Sequence, residues 1–237
     1  MSRMQYTTDI RVIRLMCTGR MDPALIADAF ANGLDGLLVL GCLFGECHYI
    51  SGNYNARHKI AMTQEMLSYA GMNPNRLSFR NLSSAESELF VKHVNDFSKE
   101  IRELGPLGGE ADRVPLPKLK ESLEIARTAL AGPKLRWVVG KKPVFIDTDK
   151  GNKYHEIFAE HEIDRTLRGI VIDEMATHSI LAALQKKPAS VKDLAKDLEI
   201  PPPDTLKYVL ALNRRGFVGL DSVKDHSPLY KYVEQEG

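Results

Sequence analysis

A chain of 237 residues, 43% of them apolar, is long enough to bury two small cores, which excludes a disordered polymer. With 32 Lys plus Arg against 31 Asp plus Glu, the formal net charge of +1 provides no global field to attract nucleic acid or an anionic membrane. No apolar run approaches the roughly 18 residues that span a bilayer, and residues 1–6 lack a signal-peptide core, so a soluble, cytoplasmic protein is expected.

In chain order, residues 10–16 are short, β-branched and apolar and stop at Cys17-Thr-Gly-Arg20, which predicts a strand running into a loop. A helix follows. Asp22 is placed to cap it and Pro23 to open it, Leu25, Ile26, Ala29 and Phe30 make one face, and Gly33 ends it. Residues 35–40 give a second apolar strand closed by Gly41 and Cys42; strand, helix and strand within about thirty residues form a βαβ unit with parallel strands. A helix over 55–69, stopped by Gly71 and Pro74, and a strand over 77–82 continue the alternation. Ser83-Ser-Ala-Glu86 has capping-box spacing and opens a helix to about Leu104. A doubly wound α/β domain over residues 1–105 accounts for this order.

The glycines and prolines of 105–117 mark a boundary. Residues 106–162 read as a linker and small α/β segment, with a helix over 116–131 (Leu119, Leu123, Ala126, Leu130) and two strands over 135–148 around Gly140-Lys-Lys-Pro143. Helices over 173–186, 190–198 and 203–215, then apolar strands at 217–220 and 229–232, spell a winged-helix domain over 163–237.

All three cysteines fall in the first fifth of the chain, an odd and clustered set that does not suit a secreted disulfide framework. Cys17 and Cys42 each follow an expected strand, so both are expected at the carboxyl edge of a parallel sheet, where such sheets bind ligands. Cys47 shares the loop Gly41-Cys-Leu-Phe-Gly-Glu-Cys-His48 with Cys42. Converging thiolates repel unless a cation neutralises them, which favours a soft metal or an iron–sulfur cluster. Spacing leaves three other readings open: ordinary buried cysteines, a Cys3His zinc site completed by His48, and a redox thiol pair.

Arg11-Val-Ile-Arg-Leu-Met-Cys-Thr-Gly-Arg20 with Asp22-Pro23, then Gly36-Leu-Leu-Val-Leu-Gly-Cys42, Gly45-Glu-Cys-His-Tyr49 and Gly52-Asn-Tyr54, resembles the delta subunit family of methyl-viologen-reducing hydrogenase. The likeness runs in order over about 2–105 and includes the Ser83–Glu86 segment. It implies a two-iron, two-sulfur cluster, with Cys17, Cys42 and Cys47 as the cluster cysteines, and electron transfer to the flavoprotein subunit of heterodisulfide reductase from a hydrogenase, formate dehydrogenase or other donor subunit. It further implies a flavodoxin-like sheet that here lacks its first strand, because the family starts with an extra strand and a C-x-x-C segment upstream of Ser2. The family's His-Pro pair after the second cysteine is replaced by Leu43-Phe44, which makes the loop more apolar. Three cysteines leave a fourth ligand to be supplied by an upstream segment, beyond a codon misread as a stop, or by His48, water or a partner residue. The upstream segment is the leading expectation.

Arg20 and His48 are placed to donate hydrogen bonds or positive charge to a cluster, with plain solvation as the even alternative. His155, Glu156 and His161 share no helical face and are read as structural or solvated. No dinucleotide fingerprint, P-loop or nucleophile elbow is present. The third helix of the winged-helix region carries Lys207, Arg214 and Arg215, a thin set for DNA, and Tyr208 and Leu212, which favour docking to protein. The competing function is a metal- or redox-sensing winged-helix transcription regulator.

Overall fold

The computed structural model describes residues 4–145, 160–224 and 226–234. The chain forms two units, residues 1–168 and 169–237.

In the first unit, α1 (Pro23–Ala31) begins as expected: Asp22 accepts a hydrogen bond from the Ala24 N–H at 3.0 Å, and Pro23 occupies the first turn. Gly33, at φ +94°, ends the helix in a conformation that favours glycine. β1 (Leu37–Gly41) pairs in parallel with β2 (Leu77–Asn81), in a register running from Leu37 opposite Leu77 to Gly41 opposite Asn81. Between them runs α2 (Gly52–Tyr69), which buries Ala56, Ile60, Met66 and Leu67. The parallel pair therefore joins the strands on either side of α2.

Residues 10–16 do not pair with either strand, which corrects the expected first strand. The chain just before them is tied to α3 (Ser87–Leu104): Tyr6 packs edge-on to Phe90, the Thr7 N–H donates to Asn95, and Arg102 pairs with Asp9. Val12, Ile13 and Met16 are left 64%, 82% and 79% exposed, a reversal of what their apolar character predicts.

The Ser83–Glu86 turn makes half of a capping box, the Glu86 carboxylate accepting from the Ser83 N–H at 2.6 Å, and α3 begins one residue later. α4 (Leu116–Ala131) buries the predicted Leu119, Leu123, Ala126 and Leu130 and packs against α1. A second correction concerns 135–148, expected as two strands: α5 (Pro133–Phe145) is a helix, and 146–148 lie outside the described residues. Leu135, Val138 and Val139 are buried at i, i+3 and i+4, a helical spacing that outweighs the strand preference of consecutive valines.

The segment between α3 and α4 is held by Arg76, whose side chain is fully buried with that of Asp112, 3.0 Å away. The guanidinium also donates to the carbonyls of Asp35, Gly105 and Pro106. Every donor direction of the fork thus has a use, as a buried charge requires.

In the second unit, the latter part of α6 (Glu160–Lys186) is followed by β3 (Ala189–Ser190), α7 (Val191–Asp197), α8 (Pro202–Arg214), β4 (Val218–Lys224) and β5 (Ser227–Tyr232). The sheet is antiparallel in the order β3-β5-β4. Ser190 and Asp193 form a complete capping box on α7. Ile180, Leu184, Leu194, Val209, Leu212 and Val218 make the core. Leu212 is 1% exposed and so is not a docking residue, whereas Tyr208 is half-buried, packing on the core with its hydroxyl donating to Asp173 at 2.6 Å. The large exposed apolar side chains of α8 are Leu206 and Leu210.

Candidate functional site

Cys42 follows β1 directly, at the carboxyl end of the parallel pair, as the strand pattern predicts. Cys17 arrives differently: it is the extended residue before a 3-10 turn at Thr18–Arg20, and no strand among the described residues precedes it. The Lys59 ammonium on α2 donates to the Gly19 carbonyl at 2.8 Å and fixes that turn against the helix.

Three polar contacts fasten the Cys42 loop. Asn53, 1% exposed, donates to the carbonyls of Cys42 (3.2 Å) and Leu43 (2.7 Å), and Asn81, at the end of β2, donates to the Cys42 carbonyl at 2.6 Å. Gly45, at φ +86°, turns the loop toward α2. Phe44 stacks on Tyr54 at 4.8 Å beneath the Arg57 guanidinium, so the apolar replacement predicted from sequence is seated on α2.

Cys47 precedes the first turn of α2, with the Ile50 N–H donating to its carbonyl at 2.8 Å. Ile50 has φ +63°, a left-handed conformation that costs a β-branched residue about 1–3 kcal/mol. Strain of this kind survives only where the surroundings impose it. Here the turn delivers backbone N–H groups to sulfur.

The three thiols are free, with Cys47 buried, Cys17 half-buried and Cys42 exposed, and they influence one another. Burial acts to raise Cys47, but hydrogen bonds from the backbone of Tyr49, Asn53 and Gly52 and from Cys17 outweigh it and hold the thiol below its ordinary value. The N-terminal end of α2 thus favours a thiolate. Cys42 is pushed up, first by desolvation and then by the negative charges of Cys47 and Cys17. Gly52 lies against both sulfurs of the inner pair: a β-carbon there would overlap the Cys17 sulfur and press on that of Cys47 at 3.1 Å.

Clustered soft thiols under backbone N–H donors have the chemistry of an iron–sulfur or other soft-metal site. As they stand, no group of three or more His, Cys, Asp or Glu among the described residues is arranged to hold a metal ion. His48 is exposed and stacks edge-on to Tyr49, and Arg20 is exposed. His161 is exposed on α6, and His155 and Glu156 lie outside the described residues. Sequence reasoning missed Gly19, Gly52, Asn53 and Asn81 as site residues. The Gly52-Asn-Tyr54 segment was legible as a motif, but not its role of crowding and tethering the thiols.

Residues 1–105 match the family described as methyl-viologen-reducing hydrogenase, delta subunit. The iron-sulfur subunit of the F420-non-reducing hydrogenase vhc of Methanococcus voltae is 40% identical over 104 residues, which are 44% of this chain and 72% of that relative. The iron-sulfur subunit of the F420-non-reducing hydrogenase of Archaeoglobus profundus is 36% identical over 104 residues, 44% of this chain and 76% of that relative. A third similarity is to a chain of the ferredoxin/F(420)H(2)-dependent CoB-CoM heterodisulfide reductase of Methanosarcina acetivorans, 44% identical over 110 residues. That match covers 46% of this chain but 14% of the much longer relative.

Proposed function

We propose, because the chain belongs to the methyl-viologen-reducing hydrogenase delta subunit family, that it is an electron-transfer iron–sulfur subunit of a hydrogenase and heterodisulfide reductase type of complex. In this reading Cys17, Cys42 and Cys47 hold a two-iron, two-sulfur cluster, which when bound supplies a one-electron redox centre. The electron donor is a hydrogenase, formate dehydrogenase or similar subunit, and the acceptor is a heterodisulfide-reductase-like flavoprotein.

The observation that carries the reading is the pair of Cys17 and Cys47 sulfurs brought together against Gly52 at the start of α2, with Cys42 near enough for their charges to raise its pKa and the backbone there favouring the Cys47 thiolate. Hydrogen bonds to a ligating sulfur stabilise the more negative state and raise a reduction potential, so Tyr49, Gly52 and Asn53 tune the centre through their backbones. Asn53 and Asn81 hold the Cys42 loop in register with Cys47. Exposed Val12, Ile13 and Met16 lead directly into Cys17, an apolar approach suited to a partner subunit.

Residues 1–105 serve as the iron–sulfur domain, with a flavodoxin-like sheet, and 106–162 connect it to a winged-helix domain over 163–237. The latter docks on protein through Leu206 and Leu210 rather than on nucleic acid. None of the relatives reported above carries a regulator's name. No helix among the described residues is long and apolar enough to cross a membrane, in keeping with a cytoplasmic subunit.

Anaerobic iron and acid-labile sulfide determination on the Cys17→Ser, Cys42→Ser and Cys47→Ser variants tests the ligand assignment. Each substitution is expected to lower cluster content, and unchanged content in all three contradicts it.

A further inference from the structure

The turn that carries Cys17 also borders a cavity of about 470 Å³ within the first unit, a volume in the range of small-molecule sites. Its walls come from the Gly19–Pro23 segment, α2, the end of α4 and the first half of α5. Three cations, Arg20, Lys59 and Arg136, face one carboxylate, Asp22. Their formal sum is 3 − 1 = +2.

The existing contacts leave donors over. Lys59 spends one of its three N–H groups on the Gly19 carbonyl, and Arg136 pairs with Asp22 through one nitrogen at 2.8 Å. Arg20 is exposed at the rim. Three cations around one concavity repel each other, and a bound anion relieves that repulsion. Beside the Asn55 amide, much of the remaining lining is of the opposite character: Met62, Leu130, Leu135 and Val139 are buried apolar side chains. An occupant must therefore carry an anionic head and an apolar body, and a doubly charged head matches the excess of two positive charges.

We propose that this cavity binds a small phosphomonoester with an apolar body, its phosphate held by Arg20, Lys59 and Arg136. Arginine forks and a lysine point charge are the side chains that recognise phosphate, and the apolar wall supplies the remaining affinity by burial. Because Lys59 and Gly19 belong both to this cavity and to the support of the Cys17 turn, the ligand sits one turn of chain from the thiol site.

The chain's single tryptophan, Trp137, follows Arg136 on α5 but lies outside the lining, so heat is the primary readout and its fluorescence a secondary one. The full chain is titrated with phenyl phosphate, with benzoate and phenol as controls, following Trp137 emission and heat. Phenyl phosphate is expected to saturate at one site per chain, benzoate to bind at least about tenfold more weakly, and phenol not to bind. Arg20→Met, at an exposed position, is expected to weaken phenyl phosphate by about tenfold with an unchanged circular dichroism spectrum. Lys59→Met is the second variant, and the same loss is expected there. Absence of phenyl phosphate binding at millimolar concentration, equal binding of benzoate, or binding unchanged by Arg20→Met would overturn the proposal.

Discussion

Gly19 and Gly52 meet backbone to backbone: a β-carbon on Gly19 would stand 2.6 Å from the Gly52 carbonyl oxygen and 2.9 Å from its Cα. This contact lets the Cys17 turn lie on the first turn of α2, where Cys47 receives its N–H donors. Two glycines thus decide whether the inner pair of sulfurs is brought together. Gly19→Ala forces a backbone shift and Gly52→Ala displaces the Cys17 and Cys47 sulfurs, each at a cost of about 1–3 kcal/mol for overpacking. Both are expected to lower iron and sulfide content far more than they lower helix content by circular dichroism. Full cluster content in both variants would show that the close approach is not required.

Asn53 is nearly inaccessible and its amide serves two carbonyls of the Cys42 loop. Asn53→Ala strands the Leu43 carbonyl and leaves the Cys42 carbonyl to Asn81 alone, so thermal or denaturant unfolding should show a loss of about 2 kcal/mol. Alkylation of Cys42 should be faster in the variant, as its loop detaches from α2.

Arg76 and Asp112 form a buried pair whose removal by halves is unequal to its removal together. Arg76→Met leaves the Asp112 carboxylate without its countercharge and is expected to cost about 3–5 kcal/mol. Arg76→Met with Asp112→Leu should recover part of that loss. A double-mutant cycle measures the recovery, and strict additivity would show that the two side chains do not depend on each other.

His178 carries a pH dependence in the second unit. Burial lowers its pKa below 6.5, the Glu174 carboxylate at 3.8 Å opposes the shift, and Arg215 reinforces it. The folded state therefore prefers neutral imidazole, and as pH falls through 6.5 the unfolded chain takes up the proton first. Stability conferred by this group is complete above that pH and is lost as pH drops toward the lowered folded value. Melting of the full chain between about pH 7.5 and 5.5 should show a decline that His178→Gln reduces.

Much of this was legible in the chain itself. Asp22, Pro23 and Gly33 bound α1 because capping chemistry is local, and Leu119, Leu123, Ala126 and Leu130 announced α4 because its apolar face has an undisturbed helical period. The 10–16 segment misled because apolar β-branched residues normally mark buried strands, whereas Val12, Ile13 and Met16 are exposed. α5 misled because Val138 and Val139 with Gly140 imitate a strand and turn, although the burial of Leu135, Val138 and Val139 obeys the helical period. At the site, Cys42 was correctly placed at a strand end, while Cys17 is positioned by a contact between glycines 33 residues apart in sequence (52 − 19), which no local pattern encodes. The same is true of Asn81, whose hydrogen bond to the Cys42 carbonyl depends on the register of β2 beside β1.

On the proposed reading, Cys17, Cys42 and Cys47 hold an iron–sulfur centre. Anaerobic iron and acid-labile sulfide analysis, joined to an electron-paramagnetic-resonance spectrum of the dithionite-reduced protein, tests it most directly. About two irons and two sulfides per chain, with a reduced-cluster signal, is the predicted result. Zinc alone, or protein without iron and sulfide after anaerobic reconstitution, would contradict it.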